Sequence, residues 1–329
     1  MKILITGGGG YIGNVLTEVL VNEKGERTFP CLFDKYQVTV FDNLIHRNAS
    51  IMQHSWRDNF KFVYGDVRNQ SLYKKLISEN DIIINLAAYV GMPLCNRFPN
   101  ETKQVNYESV KFLADNISNQ QVVLFTMTNS GYGLGQHVDG KAVYCTEETP
   151  IKPISLYGET KCDAEKALLD TQKAISLRLA TVFGVSPKMR MDLIVNDFVW
   201  RAWNDRFIVL FESHFLRNFV HIRDVANTML FCINNYKNYN MLGQAYNVGN
   251  SSANMNKMEL CLSIKKQVPE FCIVESPINK DPDQRNYIVS NDKLENLGWG
   301  CHFSLSNGIE EVLTACPIIK NANVSFSDI

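Results

Sequence analysis

The run Thr6-Gly7-Gly8-Gly9-Gly10-Tyr11-Ile12-Gly13 constrains this chain more than any other feature, because of what stands on each side of it. Before it, Lys2 to Thr6 is short, apolar and β-rich, and reads as a strand; after it, Asn14-Val15-Leu16-Thr17-Glu18-Val19-Leu20 has helical character. A strand that turns through glycines straight into a helix lets backbone N–H groups approach a pyrophosphate, whose negative charge is favoured at the helix N-terminus. Four glycines by themselves make only a loop, but between a strand and a helix they read as a dinucleotide site, with Gly7, Gly10, Tyr11, Ile12 and Gly13 as its contacts.

The rest of the first half repeats the pattern. Runs at Gln37 to Phe41, Phe60 to Val63, Asp81 to Leu86, Gln121 to Met127 and Ile175 to Ala180 alternate with helical segments, which predicts an α/β fold: a doubly wound parallel sheet of the Rossmann type. Ile82-Ile83-Ile84 and Val122-Val123-Leu124-Phe125 are wholly apolar, as strands covered on both faces are. After about residue 185 the rhythm changes to helix-like stretches at Asp192 to Trp203, Val225 to Asn234, Lys257 to Lys266 and Leu305 to Leu313, with short strands between them. The expected organisation is a nucleotide-binding domain over 1–185 and a smaller α+β substrate-binding lobe over 186–329, with the chain crossing back around 219–250. Residues 22–37 are too long for an ordinary connection between the first helix and the second strand, and read as an insertion.

Composition serves mainly to exclude. Lys and Arg total 33 against 34 Asp and Glu, a formal charge of -1, so nothing electrostatic points to nucleic acid. No apolar stretch reaches the ~18 residues that suggest a membrane span, and no cleavage-site pattern follows the first strand, so a cytoplasmic protein is expected. Nine cysteines without a Cys-x-x-Cys pair read as reduced thiols, with no metal site.

Two carboxylates belong to the cofactor end. The second strand ends in Val40-Phe41-Asp42-Asn43, which places Asp42 where a ribose would lie; accepting from both hydroxyls and repelling a 2′-phosphate, it favours NAD over NADP, although His46 and Arg47 follow closely. Gly65-Asp66-Val67 follows the third strand, where Asp66 could face the adenine amino group or cap the next helix. The chemistry is expected farther along, at Tyr157-Gly158-Glu159-Thr160-Lys161. Tyrosine and lysine four apart share a helix face, and a nearby ammonium is expected to lower a phenol's pKa from ~10 toward neutrality, making Tyr157 a base. Lys161 could also hold the nicotinamide ribose.

Taken in order, Thr-Gly-x-x-Gly-x-x-Gly at 6–13, Asp42, Asn85-Leu86-Ala87-Ala88 and Tyr157-x-x-x-Lys161 resemble the extended short-chain dehydrogenase/reductase family, which includes sugar-nucleotide epimerases and dehydratases. The resemblance implies that Leu86, Ala87 and Ala88 line the cofactor, and that Thr128, from Phe125-Thr126-Met127-Thr128-Asn129-Ser130, helps bind the hydroxyl being oxidised. It further implies substrate contacts at Val90, Asn129 and Ser130, at Asn196 of Leu193-Ile194-Val195-Asn196 beside a nucleotide diphosphate, and at two phosphate-clamping arginines, Arg217 and Arg285. His221 and Asp224 read as braces. A homodimer through Asn106 to Ile117 and Ser155 to Gln172 is part of the same expectation.

The implied reaction is removal of a hydride from C4 of a nucleotide-diphosphate sugar, ending as a 4-epimerase or a 4-dehydrogenase. A 4,6-dehydratase is disfavoured, because the family's acid pair is replaced by Asn129 and Ser130, neither of which exchanges a proton as a carboxyl group does. A 3,5-epimerase needs a further acid/base pair, for which Cys95 or Tyr89 are candidates, although both read better as pocket lining; Cys145 is given no role. The reading from another class is a non-catalytic NAD-binding regulatory module, which would have no use for Thr128, Tyr157 and Lys161 together.

Overall fold

The apolar runs become strands with small shifts at their ends. In a computed structural model that describes residues 1–23, 35–46, 49–138, 141–277 and 285–322, β1 (Lys2–Thr6), β2 (Gln37–Asp42), β3 (Phe60–Tyr64), β4 (Ile82–Asn85), β5 (Val122–Thr128), β6 (Ala174–Leu179) and β7 (Gln244–Val248) make one parallel sheet. Their order is β7-β6-β5-β4-β1-β2-β3. Side chains alternate between two cores, as the pleat requires. Ile3, Ile5, Val40, Ile82, Ile84 and Leu124 pack on one side. Leu4, Phe41, Ile83, Val123 and Phe125 pack on the other. Both faces are covered, so the doubly wound fold class expected from the alternation is the one observed.

This strand order positions the site. From β1 the chain winds outward through β2 and β3, then returns to β4 on the other side of β1 and winds the opposite way. The loops that leave the carboxyl ends of β1 and β4 therefore diverge over opposite faces and open a crevice between them, where ligands of such sheets bind.

Beyond Leu179 the chain changes architecture. Thr181–Phe183 pairs in parallel with Leu216–His221, which pairs antiparallel with Asn254–Asn256. Helices Ile194–Asn204, Lys257–Lys265 and Leu305–Asn321 enclose a third core of Phe183, Val195, Phe198, Phe219, Ile264 and Val312. Between these pieces the chain returns to the sheet: Ile222–Asn235 packs on α1 (Tyr11–Asn22), and β7 forms the edge beside β6 with Asn247 opposite Arg178. The last helix runs on through Pro317, farther than the apolar period to Leu313 suggested. The insertion's residues 24–34 lie outside the described residues. At its base the N–H of Lys35 donates to Glu23 O at 3.2 Å, and Tyr36 is buried with its hydroxyl donating to Asn234 Oδ1 at 2.9 Å.

Candidate active site

A cleft of about 620 Å³ opens where the crevice was expected, walled by the glycine turn, the ends of β2 and β4, the turn after β5, the start of helix Leu156–Leu169, and parts of the second lobe. The glycine turn is shaped by contacts that leave no room for side chains. Gly7 has φ +72°, and a Cβ there would lie 2.6 Å from Ala87 N; a Cβ on Gly13 would lie 2.5 Å from Gly8 Cα. At Gly10 a Cβ would meet only Gly7 O, at 3.2 Å. Helix α1 begins at this turn with no side-chain cap and no acid in its first turn, so its first N–H groups remain to be satisfied from the cleft. Asn14 ties the turn down, donating to Gly9 O at 2.8 Å and Gly10 O at 2.9 Å. A pyrophosphate fits this cradle: close backbone, a helix start without a side-chain cap, and the positive end of a helix dipole.

Asp42 ends β2 at the cleft wall, its carboxylate accepting from Gly9 N (2.9 Å) and Leu44 N (2.7 Å). The turn and the carboxylate are thereby one unit. Asp66 also lines the cleft, but its side chain receives Asn43 Nδ2 (2.9 Å) and the Arg68 guanidinium (2.9 and 2.8 Å), which holds its carboxyl at about 2. It does not cap the following helix, Gln70–Ser78. Asn69 does, accepting from Leu72 N at 3.2 Å. Val67, Leu86, Ala87, Ala88 and His46 complete this wall, while Arg47 falls outside the described residues.

At the other end, Ser155 caps helix Leu156–Leu169 by accepting from Gly158 N at 3.2 Å, which puts Tyr157 in the first turn and Lys161 one turn later, both facing the cleft. Lys161 is 2% exposed and lies 4.1 Å from the centre of the Phe125 ring. Its pKa is driven down to about 7 by burial, with Glu165 opposing. The Tyr157 phenol is pushed up to about 12, again by burial first, with Arg190 and Arg285 pulling it back. The expectation of a lowered phenol pKa is thus corrected for the cleft as it stands. Desolvation penalises phenolate and ammonium alike, and exceeds the attraction of the cations nearby.

Thr128 closes β5. Its Oγ1 accepts from Ser130 N at 3.2 Å and lies 2.8 Å from Ser130 Oγ, so two hydroxyls face the cleft near Tyr157. Asn129, between them, is turned away: it is 1% exposed, absent from the cleft wall, and its carboxamide has no hydrogen-bond partner. The chain leaves the extended conformation after Thr128 and makes a short 3-10 turn over Asn129–Tyr132, in which Ser130 lines the cleft and Asn129 does not.

The rest of the wall carries Val90, from the loop after β4, and Arg217, Arg285 and Tyr287 from beyond the large sheet. Arg217 is 4% exposed, donates to Leu216 O at 2.8 Å, and lies 5.8 Å from the Tyr287 ring centre. Asn196 is not on the wall. It is fully buried, donating to Arg190 O (2.9 Å) and Tyr11 Oη (3.2 Å) and accepting from Gly184 N (3.1 Å). Its segment instead presents Arg190, Asp192, Leu193 and Ile194, with the Arg190 Nε donating to Asp192 at 2.9 Å. Sequence reasoning missed Arg190, Asp192 and Ser155, and named the segment of Leu193 and Ile194 but took Asn196 as its contact. The charged Arg190-Met191-Asp192 just ahead of Leu193 was the available signal. His221 and Asp224 are braces, as read: His221 Nε2 lies 2.7 Å from Glu311, and Asp224 accepts from His302 N and Phe303 N. Cys95 is buried off the wall, its thiol pushed up by burial, and Cys145 is buried in the small sheet of Lys141–Cys145; Tyr89 lines the cleft.

The model of the NAD dependent epimerase/dehydratase family matches residues 3–249. Among individual proteins, the chain is 25% identical over 342 residues to the UDP-glucose 4-epimerase of Streptococcus mutans, covering 96% of this chain and 95% of that one. It is 22% identical to the low-salt glycan biosynthesis protein Agl12 of Haloferax volcanii, covering 94% and 96%. The crystal structure of the UDP-glucuronic acid 4-epimerase of Bacillus cereus, in complex with UDP-glucuronic acid and NAD, superposes with a TM-score of 0.81 at 21% identity, covering 97% and 100%.

Proposed function

Because the chain belongs to the NAD dependent epimerase/dehydratase family, we propose that it oxidises C4 of a nucleotide-diphosphate sugar with NAD and then completes the cycle as a 4-epimerase or a 4-dehydrogenase. The observation that carries this reading is the convergence of Thr128, Tyr157 and Lys161 on the cleft that the glycine turn and Asp42 begin.

Bound NAD supplies the hydride acceptor. Gly7, Gly10 and Gly13 would admit its phosphates, the N–H groups at the start of α1 would offset their charge, and Asp42 would take the adenosine ribose hydroxyls. Tyr157, from the first turn of its helix, receives the proton of the C4 hydroxyl while Thr128 Oγ1 holds that oxygen, with Ser130 Oγ behind it at 2.8 Å. Tyr157 takes that proton as the phenolate, a form that Arg190 and Arg285 favour against the burial that keeps the phenol protonated, and Lys161, one helical turn on, would hold the nicotinamide ribose. Arg217 and Arg285 take the nucleotide diphosphate from the second-lobe wall.

A 4,6-dehydratase finds less support. It needs a proton donor for the leaving hydroxyl, and position 129 faces the core while 130 offers only an alcohol. Cys95, buried away from the wall, supplies no acid/base partner for a 3,5-epimerase. Nucleotide sugars and NAD are cytoplasmic metabolites, so a cytoplasmic enzyme is part of this reading. So is a homodimer through helices 106–117 and 155–172, tested by sedimentation.

The test offers UDP-, GDP-, CDP- and dTDP-hexoses to the purified protein, following absorbance at 340 nm and the sugar by NMR. A new sugar without net NADH identifies an epimerase, and NADH in proportion to a ketosugar identifies a dehydrogenase. Silence across the panel with NAD bound would leave the regulatory NAD-binding module.

A further inference from the structure

The segment between Gly184 and Ile194 supplies the cleft with Arg190, Asp192, Leu193 and Ile194, yet from 184 to 193 it belongs to no strand or helix. Side chains from elsewhere hold it in place. Three of those ties meet at Tyr11, the first residue of α1, immediately after the last glycine before the helix. The Tyr11 hydroxyl donates to Gly184 O at 2.6 Å and accepts from Asn196 Nδ2 at 3.2 Å, while Ser186 Oγ donates to Tyr11 O at 2.8 Å. Asn196 then passes the tie on: its Nδ2 also reaches Arg190 O at 2.9 Å, and its Oδ1 accepts Gly184 N at 3.1 Å. Tyr11 is 8% exposed, and burial raises its phenol above the ordinary value, which favours the protonated, donating form. Gly184 has φ +114°, and a Cβ there would lie 2.6 Å from His221, so the receiving carbonyl is held in one orientation.

Resting on the cofactor reading above, we propose that Tyr11 is a positioning residue that couples the two halves of the cleft: filling the phosphate turn steadies the segment 184–194 through the Tyr11–Gly184–Asn196 link. The physical argument is one of shared groups. A ligand on the free N–H groups at the start of α1 restrains the turn that carries Tyr11, and Tyr11 is bonded at both its hydroxyl and its carbonyl to the substrate wall. A purely structural tie would stabilise the protein equally with and without cofactor. A coupling tie makes the order of 184–194 depend on cofactor, and by linkage makes each ligand assist the other.

Hydrogen exchange with NAD as the only added ligand tests this without knowledge of the substrate. In the wild type, saturating NAD is expected to slow exchange at amides between 185 and 193 by ~10-fold, an ordinary size for coupling between sites. Tyr11→Phe keeps the ring and the backbone N–H and loses the hydroxyl; measured at NAD saturation for the variant itself, its slowing is expected to fall below ~2-fold. Ser186→Ala, which removes only the bond to Tyr11 O, is expected to lose part of the effect and serves if Tyr11→Phe does not fold. Undiminished NAD-dependent slowing in these variants overturns the coupling, as does a wild type that binds NAD with no change at 185–193. A wild type that does not bind NAD overturns the coupling together with the cofactor reading, and is told apart by the binding isotherm.

Discussion

The two halves of the cleft are built in different ways. The half proposed for the cofactor is local: the turn at 7–13 is one continuous stretch, and Asp42 joins it from the adjacent strand through a bond from Gly9 N. The half proposed for the substrate is assembled from chain positions near 90, 128, 157, 190, 217 and 285, on separate elements. A local site works through backbone geometry that few residue types permit, so it announces itself in sequence. An assembled site works through side chains whose direction depends on packing far away, so it does not.

Removing the base should separate the halves most sharply. Tyr157→Phe is expected to lower kcat by ~10³-fold, within the range for general acid–base catalysis, while leaving NAD affinity unchanged in a titration. Full turnover in that variant would end the mechanism. Gly13→Ala strikes the other half: its Cβ would lie 2.5 Å from Gly8 Cα, and NAD affinity is expected to fall by ~100-fold in calorimetry as the helix start is forced off the turn. Unchanged affinity would mean that the turn does not hold the phosphates.

Smaller effects test the individual contacts. Arg217→Ala is expected to raise KM for the nucleotide sugar by ~10 to 30-fold with kcat within a few-fold, the pattern of a group that binds ground state and transition state alike. A pure kcat effect would move Arg217 out of the diphosphate site. Asp42→Asn removes the charge that repels a 2′-phosphate, and is expected to narrow the preference for NAD over NADP by ~10-fold in paired titrations. An unchanged ratio would show that the carboxylate serves only the turn.

The mildest test is of stability against pH. Lys161 has a folded pKa of about 7 against 10.5 unfolded, so between those values the unfolded chain holds more protons there than the folded one. Stability from this group therefore rises as pH increases through that window and is lost as pH falls toward 7. Replacing it by Met should flatten the Tm of the ligand-free protein across pH 7–9. An unaltered slope would mean that Lys161 is not desolvated.

Much of the fold was legible because parallel strands covered on both faces are written as unbroken apolar runs, and β1 was read to the residue. β7 was harder to see. Gln244-Ala245-Tyr246-Asn247-Val248 carries polar residues because it lies at the sheet edge, where Asn247 meets Tyr132 and Ser290 O instead of an apolar layer. The buried Glu165–Arg178 pair, joined to Ser176 and Tyr132, was equally hidden. Nothing in the spacing of Glu165 and Arg178 shows that they meet in the core behind Tyr157 and Lys161.

Sequence alone determined the glycine turn, the carboxylate that ends the second strand beside it and the tyrosine–lysine pair on one helix face, because each depends on backbone conformation or spacing within one or two neighbouring elements. The tertiary structure decided that Asn129 and Asn196 face inward while Arg190 and Leu193 face the cleft, that Tyr11 ties the two lobes together, and that Tyr157 and Lys161 are shifted by burial before they are shifted by charge. Side-chain direction in an irregular segment is set by whatever packs on it, and desolvation belongs to the assembled surroundings, so neither exists until the lobes meet.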